Sequence, residues 1–344
     1  MPKHLLVANP TAQSGHNAAR IERARALLAD AGLSCELLPT LPNGGTIPAV
    51  RDALNAGSYR SVISMGGDGT FREVASGLME SQRGEDVRLG MLPTGTANDQ
   101  GRSFGLSSDE DDLPRNVDIL CAAHETRLDA GRIRALDIDG NELAAAWFFD
   151  SAGWGLSARV LARRNRDRRL VSQLGPLKEI YRDQLVYAGA LLAEFLKSYV
   201  QSDKFTAHVT LDGETQVLER LTDLVIKGTP IYGGAWVLDR TARHDDGLFE
   251  VVPFRGRRDW TSKAIVDVAG NPLHEEVLNR IGIRHSAPFR ASKVSLRFEL
   301  PPAGAAFPAQ VDGEEFVGSV RAEIEVVPRA IRLVVPVPVA GAQG

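Results

Sequence analysis

Ser61-Val62-Ile63-Ser64-Met65-Gly66-Gly67-Asp68-Gly69-Thr70-Phe71-Arg72-Glu73-Val74 is the stretch on which the reading of this chain turns. An apolar run with the length of a buried strand goes straight into three glycines, and helical spacing resumes at once, over Phe71 to Leu78. Upstream the same alternation repeats. Leu5 to Ala8 is an apolar run stopped by the turn pair Asn9-Pro10, and Ala18 to Ala31 carries Ile21, Ala24, Leu27, Leu28 and Ala31 on one helical face before Gly32. Cys35 to Leu38 predicts a second strand, Ile47 to Ala56 a second helix and Arg88 to Leu92 a fourth strand. Strands alternating with helices at this spacing predict an N-terminal α/β domain with a mostly parallel sheet covered on both faces.

The pattern changes after about residue 126. Strand-like runs at 127–133, 144–149, 205–211, 222–227, 236–238, 248–252, 294–300 and 322–327 are punctuated by Asp139-Gly140, Asp212-Gly213, Gly233-Gly234, Asp246-Gly247 and Asp312-Gly313. They predict a C-terminal antiparallel, β-sandwich-like domain, interrupted by helices near 157–167, 176–200 and 259–280. The acidic stretch Ser107 to Asn116 reads as a loop between the two regimes. At 344 residues, two domains are the natural count. A formal net charge of −4 offers no electrostatic case for nucleic acid. Two cysteines, Cys35 and Cys121, sit in apolar runs and suit a reducing cytoplasm better than a disulfide framework. The opening Met1-Pro2-Lys3-His4 leads into too short an apolar run for a secretory signal. Leu185 to Val200 is also short of a membrane span and carries Glu194 and Lys197.

Glycines at a strand-to-helix junction let the backbone approach a polyanion, and helix N-terminal amides can bond phosphate oxygens. An acid inside such a loop makes sense if Asp68 handles Mg²⁺ or shapes the reactive end of a nucleotide. Leu92-Pro93-Thr94-Gly95-Thr96-Ala97-Asn98-Asp99 follows the next strand with the same logic, and Asn9-Pro10-Thr11-Ala12-Gln13-Ser14-Gly15 follows the first. All three loops fall at the carboxyl edge of the expected sheet, where open α/β sheets bind ligands.

On these pieces the chain resembles the diacylglycerol kinase catalytic-domain superfamily, which includes bacterial diacylglycerol kinases and sphingosine and ceramide kinases. Residues 9–15, Thr40, 66–74, 92–105, 152–158, 175–181, 231–236, 242–251 and 311–316 run in family order. The GGDGT run is shared with NAD kinases; its combination with TGTAND, a late DDG and a terminal DGE belongs to the lipid kinases. The resemblance implies that Asn9, Pro10, Thr11, Ser14, Gly15, Thr40, Gly66, Gly67, Asp68, Gly69, Thr70, Phe71, Arg72, Thr94, Gly95, Thr96, Asn98 and Asp99 hold ATP. It implies that Asp68 is needed for activity and that Glu314 accepts the proton of a lipid hydroxyl. It also implies a Mg²⁺ site in which Asp246 uses its side chain while Arg243 and Leu248 give carbonyls, an all-oxygen set. Read without the resemblance, Asp312-Gly313-Glu314 is first a hairpin turn with a solvated Glu, and a plain turn at Asp246-Gly247 is the alternative to a metal site.

The departures are specific. Lys227 stands where the family often has Asn, and Ser157 where it often has an acid. Arg159 replaces the candidate base of sphingosine kinases and cannot act as a base at neutral pH. Gly153-Trp154-Gly155-Leu156-Ser157-Ala158 fits a dinucleotide fingerprint but lacks the partner acid and the βαβ setting, so it is discounted. Six arginines between Arg159 and Arg169 suit either anionic lipid headgroups or a solvated helix face. The expectation is an ATP-binding domain over 1–126, with the end of the chain from about 328 returning to it through a strand at 330–337, and a lipid-binding domain over 127–327. The expected partner is a lipid at the membrane surface, on the cytoplasmic face, with a homodimer possible. An NAD-kinase-like small-molecule kinase and a non-catalytic nucleotide-binding regulator are the competing readings.

Overall fold

The computed structural model describes residues 4–10, 16–95, 98–159, 161–162, 204–229, 231–232, 236–237, 242–256, 288–299 and 306–337. β1 (His4–Ala8), β2 (Cys35–Pro39), β3 (Ser61–Gly66) and β4 (Arg88–Pro93) are mutually parallel, in the order β2-β1-β3-β4. Their side chains alternate between two cores, as a strand's period of two demands. Leu5, Val7, Val62, Leu89 and Met91 pack with Val50 and Leu54 of α2 (Thr46–Ala56) and Phe71, Val74 and Leu78 of α3 (Asp68–Glu80). Leu6, Ala8, Ile63, Met65 and Leu92 meet Ile21, Ala24 and Leu28 of α1 (His16–Asp30) and Leu113, Val117 and Leu120 of α5 (Leu113–Ala122). Each such fully buried aliphatic side chain contributes roughly 1.5–3 kcal/mol. The result is a three-layer α/β unit with α3 and the short α4 (Asp99–Ser103) starting at the carboxyl edge of the sheet.

The remaining strands build a sandwich. β5 (Glu125–Leu136), β6 (Glu142–Phe148), β8 (Phe205–Leu211), β9 (Glu214–Leu221), β15 (Lys293–Phe298) and β18 (Arg321–Val334) extend the first sheet to ten strands. Facing it, β14 (Phe289–Ala291), β13 (Phe249–Phe254), β10 (Asp223–Lys227), β7 (Ser151–Gly155), β16 (Phe307–Val311) and β17 (Glu314–Ser319) form a second, six-stranded sheet in that order. Ile133, Phe148, Trp154, Phe205, Ile226, Phe249, Leu296, Phe298 and Ile324 fill the space between them. β11 (Ile231–Tyr232) and β12 (Trp236–Val237) form a separate two-stranded ribbon, with β11 near α4.

Three local expectations change. The strands anticipated at 322–327 and 330–337 are one strand, β18, which pairs with β15 at one end and with β4 through Leu333 at the other. β5 follows it on its other edge, and the register slips between Val327 and Ile331, where Pro328 has no N–H to give. The stretch 107–116 is not wholly a loop: a 3₁₀ turn at Glu110–Asp112 leads into α5, whose Leu113, Val117 and Leu120 spacing is helical. β7, β9, β14, β16 and β17 are strands beyond those anticipated. The helices expected near 176–200 and 259–280, and the arginines from Arg163 onward, lie outside the described residues.

Candidate functional site

β3 and β4 run side by side, so the loops that leave them meet. Thr94 donates its N–H to the Gly66 carbonyl at 2.9 Å, and Gly95 lies against Gly67 so closely that a Cβ on Gly95 would stand 2.6 Å from the Gly67 Cα. Asn98 takes a left-handed conformation (φ 51°), which Asn tolerates, and braces the loop by accepting the Gly95 N–H at 3.0 Å and donating to the Gly95 carbonyl.

Asp68 opens α3 but does not cap it. Its Oδ1 accepts the Gln100 N–H at 3.2 Å, tying α3 to the start of α4. Burial raises its pKa, with the negative charge of Asp150 adding to the effect and backbone N–H groups of residues 98–100 opposing it. The N-terminus of α3, at Gly67, has no side-chain cap. Its first N–H groups and the positive end of its dipole are thus directed at the carboxyl edge, a setting that accepts phosphate oxygens.

Glu314 reaches this edge from the six-stranded sheet. The β16–β17 hairpin turns on Asp312 and Gly313, both at positive φ (46° and 75°), as a type I′ turn requires. The Asp312 carboxylate is buried and accepts three consecutive N–H groups, from Phe149, Asp150 and Ser151, each at 2.9 Å. Burial, then the neighbouring Asp150 charge, pushes its pKa up to about 7 against the Ser151 and Phe149 N–H bonds and the Arg72 charge. The hairpin thereby delivers Glu314 to the first turn of α3. Its Oε2 accepts from Arg72 at 2.6 Å, and its Oε1 lies 2.6 Å from where a Cβ on Gly69 would be. A side chain at 69 would oblige the Glu314 carboxylate to shift. Glu314 is 52% exposed and Arg72 16%, so the carboxylate is accessible while its partner is largely enclosed.

The other expected positions are distributed as follows. Thr40 follows β2 and donates its N–H to the Ala8 carbonyl at 2.9 Å, and the Asn9 carbonyl accepts from Asn17. Gly66 is packed against Thr70, and Phe71 is buried, edge-on to Phe149 with ring centroids 6.0 Å apart. Pro10 follows Asn9 out of β1, and Asp99 is the first residue of α4. Thr11, Ser14, Gly15 and Thr96 lie outside the described residues. In the 243–248 loop, Asp246 Oδ1 accepts the Leu248 N–H at 3.1 Å and Arg243 pairs with Asp245. That loop is moored by Asp129, which accepts N–H groups from Gly247 and Arg329, and by His244, whose ring meets Phe104 just past α4. Among the described residues no three His, Cys, Asp or Glu side chains converge as a metal cluster. The expected set there, the Asp246 carboxylate with the carbonyl oxygens of Arg243 and Leu248, is all-oxygen and fits a hard cation such as Mg²⁺.

Sequence reasoning missed a buried group behind the turn. Lys227 donates from Nζ to Asp150 Oδ1 at 2.7 Å, and the Thr229 hydroxyl donates to the same oxygen. Lys227 had been noted only as a departure; its signal was a lysine within an apolar strand, which burial requires to be paired.

A three-layer α/β unit with glycine loops at its carboxyl edge, met there by a carboxylate from a β-sandwich, defines a class of fold shared with known kinases. The diacylglycerol kinase catalytic domain family matches residues 3–133. The "Probable lipid kinase YegS-like" of Pseudomonas aeruginosa is 32% identical over 234 residues, 67% of each chain. "Diacylglycerol kinase" of Mycobacterium tuberculosis H37Rv is 31% identical over 191 residues, 56% of this chain and 53% of that one, so this match takes in about half of that relative's length. Among solved structures, a diacylglycerol kinase from Bacillus anthracis superposes with a TM-score of 0.67 over 97% of each chain at 19% identity. Yeast NADH kinase, complexed with NADH, superposes at 0.52 over 98% of this chain and 84% of that one at 10% identity. The two superpositions establish the fold. The chain belongs to the diacylglycerol kinase catalytic-domain superfamily, a family of kinases.

Proposed function

We propose that this protein transfers the γ-phosphate of ATP to a hydroxyl group of a lipid, with diacylglycerol the first acceptor to test. One observation carries the reading. Glu314 of the terminal DGE run lies on the first turn of the GGDGT helix, bonded to Arg72 across 242 positions of sequence. A small-molecule kinase needs the glycine loops, but a carboxylate brought from the sandwich side suits an acceptor bound there. In this reading the uncapped α3 amides and Arg72 bind the nucleotide's phosphates, together with residues 9–15, Thr40 and 94–99. Asp68 holds the two loops in register by its bond to Gln100. Glu314 takes the proton of the attacking hydroxyl, acting from a half-solvated position where proton release is open. Mg²⁺ when bound supplies neutralising charge for phosphoryl transfer, and the Arg243 and Leu248 carbonyls with the Asp246 carboxylate are the residues that would hold an ion on the sandwich side. Residues 1–126 and the end of the chain from about 328 would then serve the nucleotide, and 127–327 the lipid at a membrane surface. The relatives' names, diacylglycerol kinase and lipid kinase, agree with this acceptor class. Among the described residues no helix is long and apolar enough to cross a membrane.

The test is transfer of labelled γ-phosphate into a total lipid extract, with NAD assayed in parallel and Asp68→Ala and Glu314→Ala as controls. Labelled lipid from the wild type, lost in both variants, is the expected result. Labelling of NAD alone, or equal lipid labelling by all three proteins, would overturn the reading.

A further inference from the structure

We propose that the outward face of the ten-stranded sheet carries a phosphoryl-binding groove, built by Arg297 and Arg321 and separate from the loops at the carboxyl edge. Val209 of β8, Leu296 of β15, and Ala322 and Ile324 of β18 point into the sandwich. By a strand's period of two, their neighbours His208, Thr210, Ser295, Arg297, Arg321 and Glu323 stand on the opposite face. There they line a groove of about 220 Å³. That volume lies below the roughly 300–1,000 Å³ of pockets for whole organic ligands and suits one compact group. Ser295 and Arg297 are exposed, and the other four are half-buried, so the groove is open to solvent.

Cross-strand register shows what the groove lacks. Opposite charges at facing positions stabilise a sheet, and like charges directly opposite each other destabilise it. The neighbouring rows obey this rule. Arg134 faces and bonds Glu323, and Lys293 faces Glu325 with its Nζ 3.0 Å from the carboxylate. The next row breaks it: Arg297 faces Arg321 on one side and His208 on the other. Among the described residues no carboxylate answers either guanidinium. Glu323, the carboxylate lining the groove, is held by Arg134, and His208 is hydrogen-bonded to Glu299 at 3.0 Å. The whole chain has a formal net charge of −4, so two facing arginines are not the overflow of a basic surface. Hydroxyls stand beside them. Thr210 and Thr215 bond each other at 2.8 Å, and Ser295, in register with Thr210 and Glu323, presents its own to the groove. A guanidinium fork matches the oxygens of a carboxylate or phosphoryl group bidentately. A carboxylate satisfies one fork, whereas a phosphoryl group has further oxygens for the second fork and for the Ser295 hydroxyl. Its arrival turns a repulsive cross-strand pair into a bridged one.

Calorimetric titration with inorganic phosphate at low ionic strength tests this, with a non-hydrolysable ATP analogue present to occupy the carboxyl-edge loops. Wild type is expected to bind phosphate, and Arg297→Gln or Arg321→Gln to bind it about tenfold more weakly, the worth of one charge-assisted bond. Lys293→Gln removes an exposed cation from the same face but not from the groove, and is expected to bind as wild type does. Both arginine variants are expected to fold with a urea midpoint no lower than that of wild type, because a like-charge contact is relieved. A second arm separates the two sources of such a group, by sedimenting each protein with phosphatidylcholine vesicles with and without phosphatidic acid. Retention that needs phosphatidic acid and both arginines assigns the groove to a lipid headgroup. Phosphate binding without such retention assigns it to a soluble phosphate. No phosphate binding by wild type, or an equal loss in Lys293→Gln and the arginine variants, overturns the groove, and neither result bears on the lipid-kinase reading.

Discussion

Replacing Asp312 by alanine isolates what holds Glu314 in place. Three buried N–H groups, of Phe149, Asp150 and Ser151, would lose the Asp312 carboxylate as acceptor at once. At about 1 kcal/mol net for each bond, and more where the donor is left unpaired, this amounts to roughly 3 kcal/mol. Position 312 also has φ 46°, where Asp is tolerated and Ala costs about 1 kcal/mol more. The expected loss is thus about 4 kcal/mol, a large share of the ~5–15 kcal/mol typical of a folded chain. Asparagine separates the contributions. Oδ1 serves two of the three donors, from Asp150 and Ser151, so an amide oxygen can keep both while the NH₂ group faces Phe149. The loss for Asp312→Asn is therefore about 1–2 kcal/mol, moderated by relief of repulsion with Asp150. Urea denaturation at fixed pH measures both variants, and phosphate transfer measures the consequence for Glu314. An alanine variant within about 1 kcal/mol of wild type, or an asparagine variant equally damaged, would refute the anchoring role. Full transfer activity in a folded alanine variant would refute the link to Glu314.

Other outcomes follow from the same geometry. Gly95→Ala forces a Cβ to 2.6 Å from the Gly67 Cα, backbone against backbone, and should weaken ATP binding, read by titration calorimetry, with about 1–3 kcal/mol of stability lost. Lys227→Met leaves Asp150 buried and unpaired and is expected to cost about 3–5 kcal/mol in a denaturation midpoint, whereas Lys227→Met with Asp150→Asn should recover part of it. Burial raises Asp223 and Asp312 to about 7 from 3.8, so the native chain holds protons that the unfolded chain releases between those values. Their contribution to stability is therefore fullest at the acid end and declines as pH rises toward 7. Asp223→Asn should gain stability relative to wild type as pH rises from 3.8 to about 7, and a pH-independent difference in urea midpoints would contradict the raised carboxyl.

Much of this protein is determined locally and was legible from sequence. The apolar runs at β1, β3 and β4 specify parallel strands buried on two faces, and the glycines after β3 and β4 specify loops that approach each other closely, because few other residue types fit either setting. The Asp312-Gly313 pair reads as a turn for the same reason, since type I′ geometry needs two positive φ values. Lying only a few residues apart, these features need no knowledge of the fold. Tertiary structure alone decided the rest. Whether the Asp312-Gly313-Glu314 hairpin stood alone or against the GGDGT helix depended on three N–H groups some 160 positions from Asp312 and on the Arg72–Glu314 contact. The continuity of β18 across the slip at Pro328 was hidden because it is enforced by β5 and not by propensity. Lys227 stood only as a departure from the family's Asn until Asp150 appeared beside it. Pairings of this kind are set by strand register over long separations, which sequence spacing does not encode.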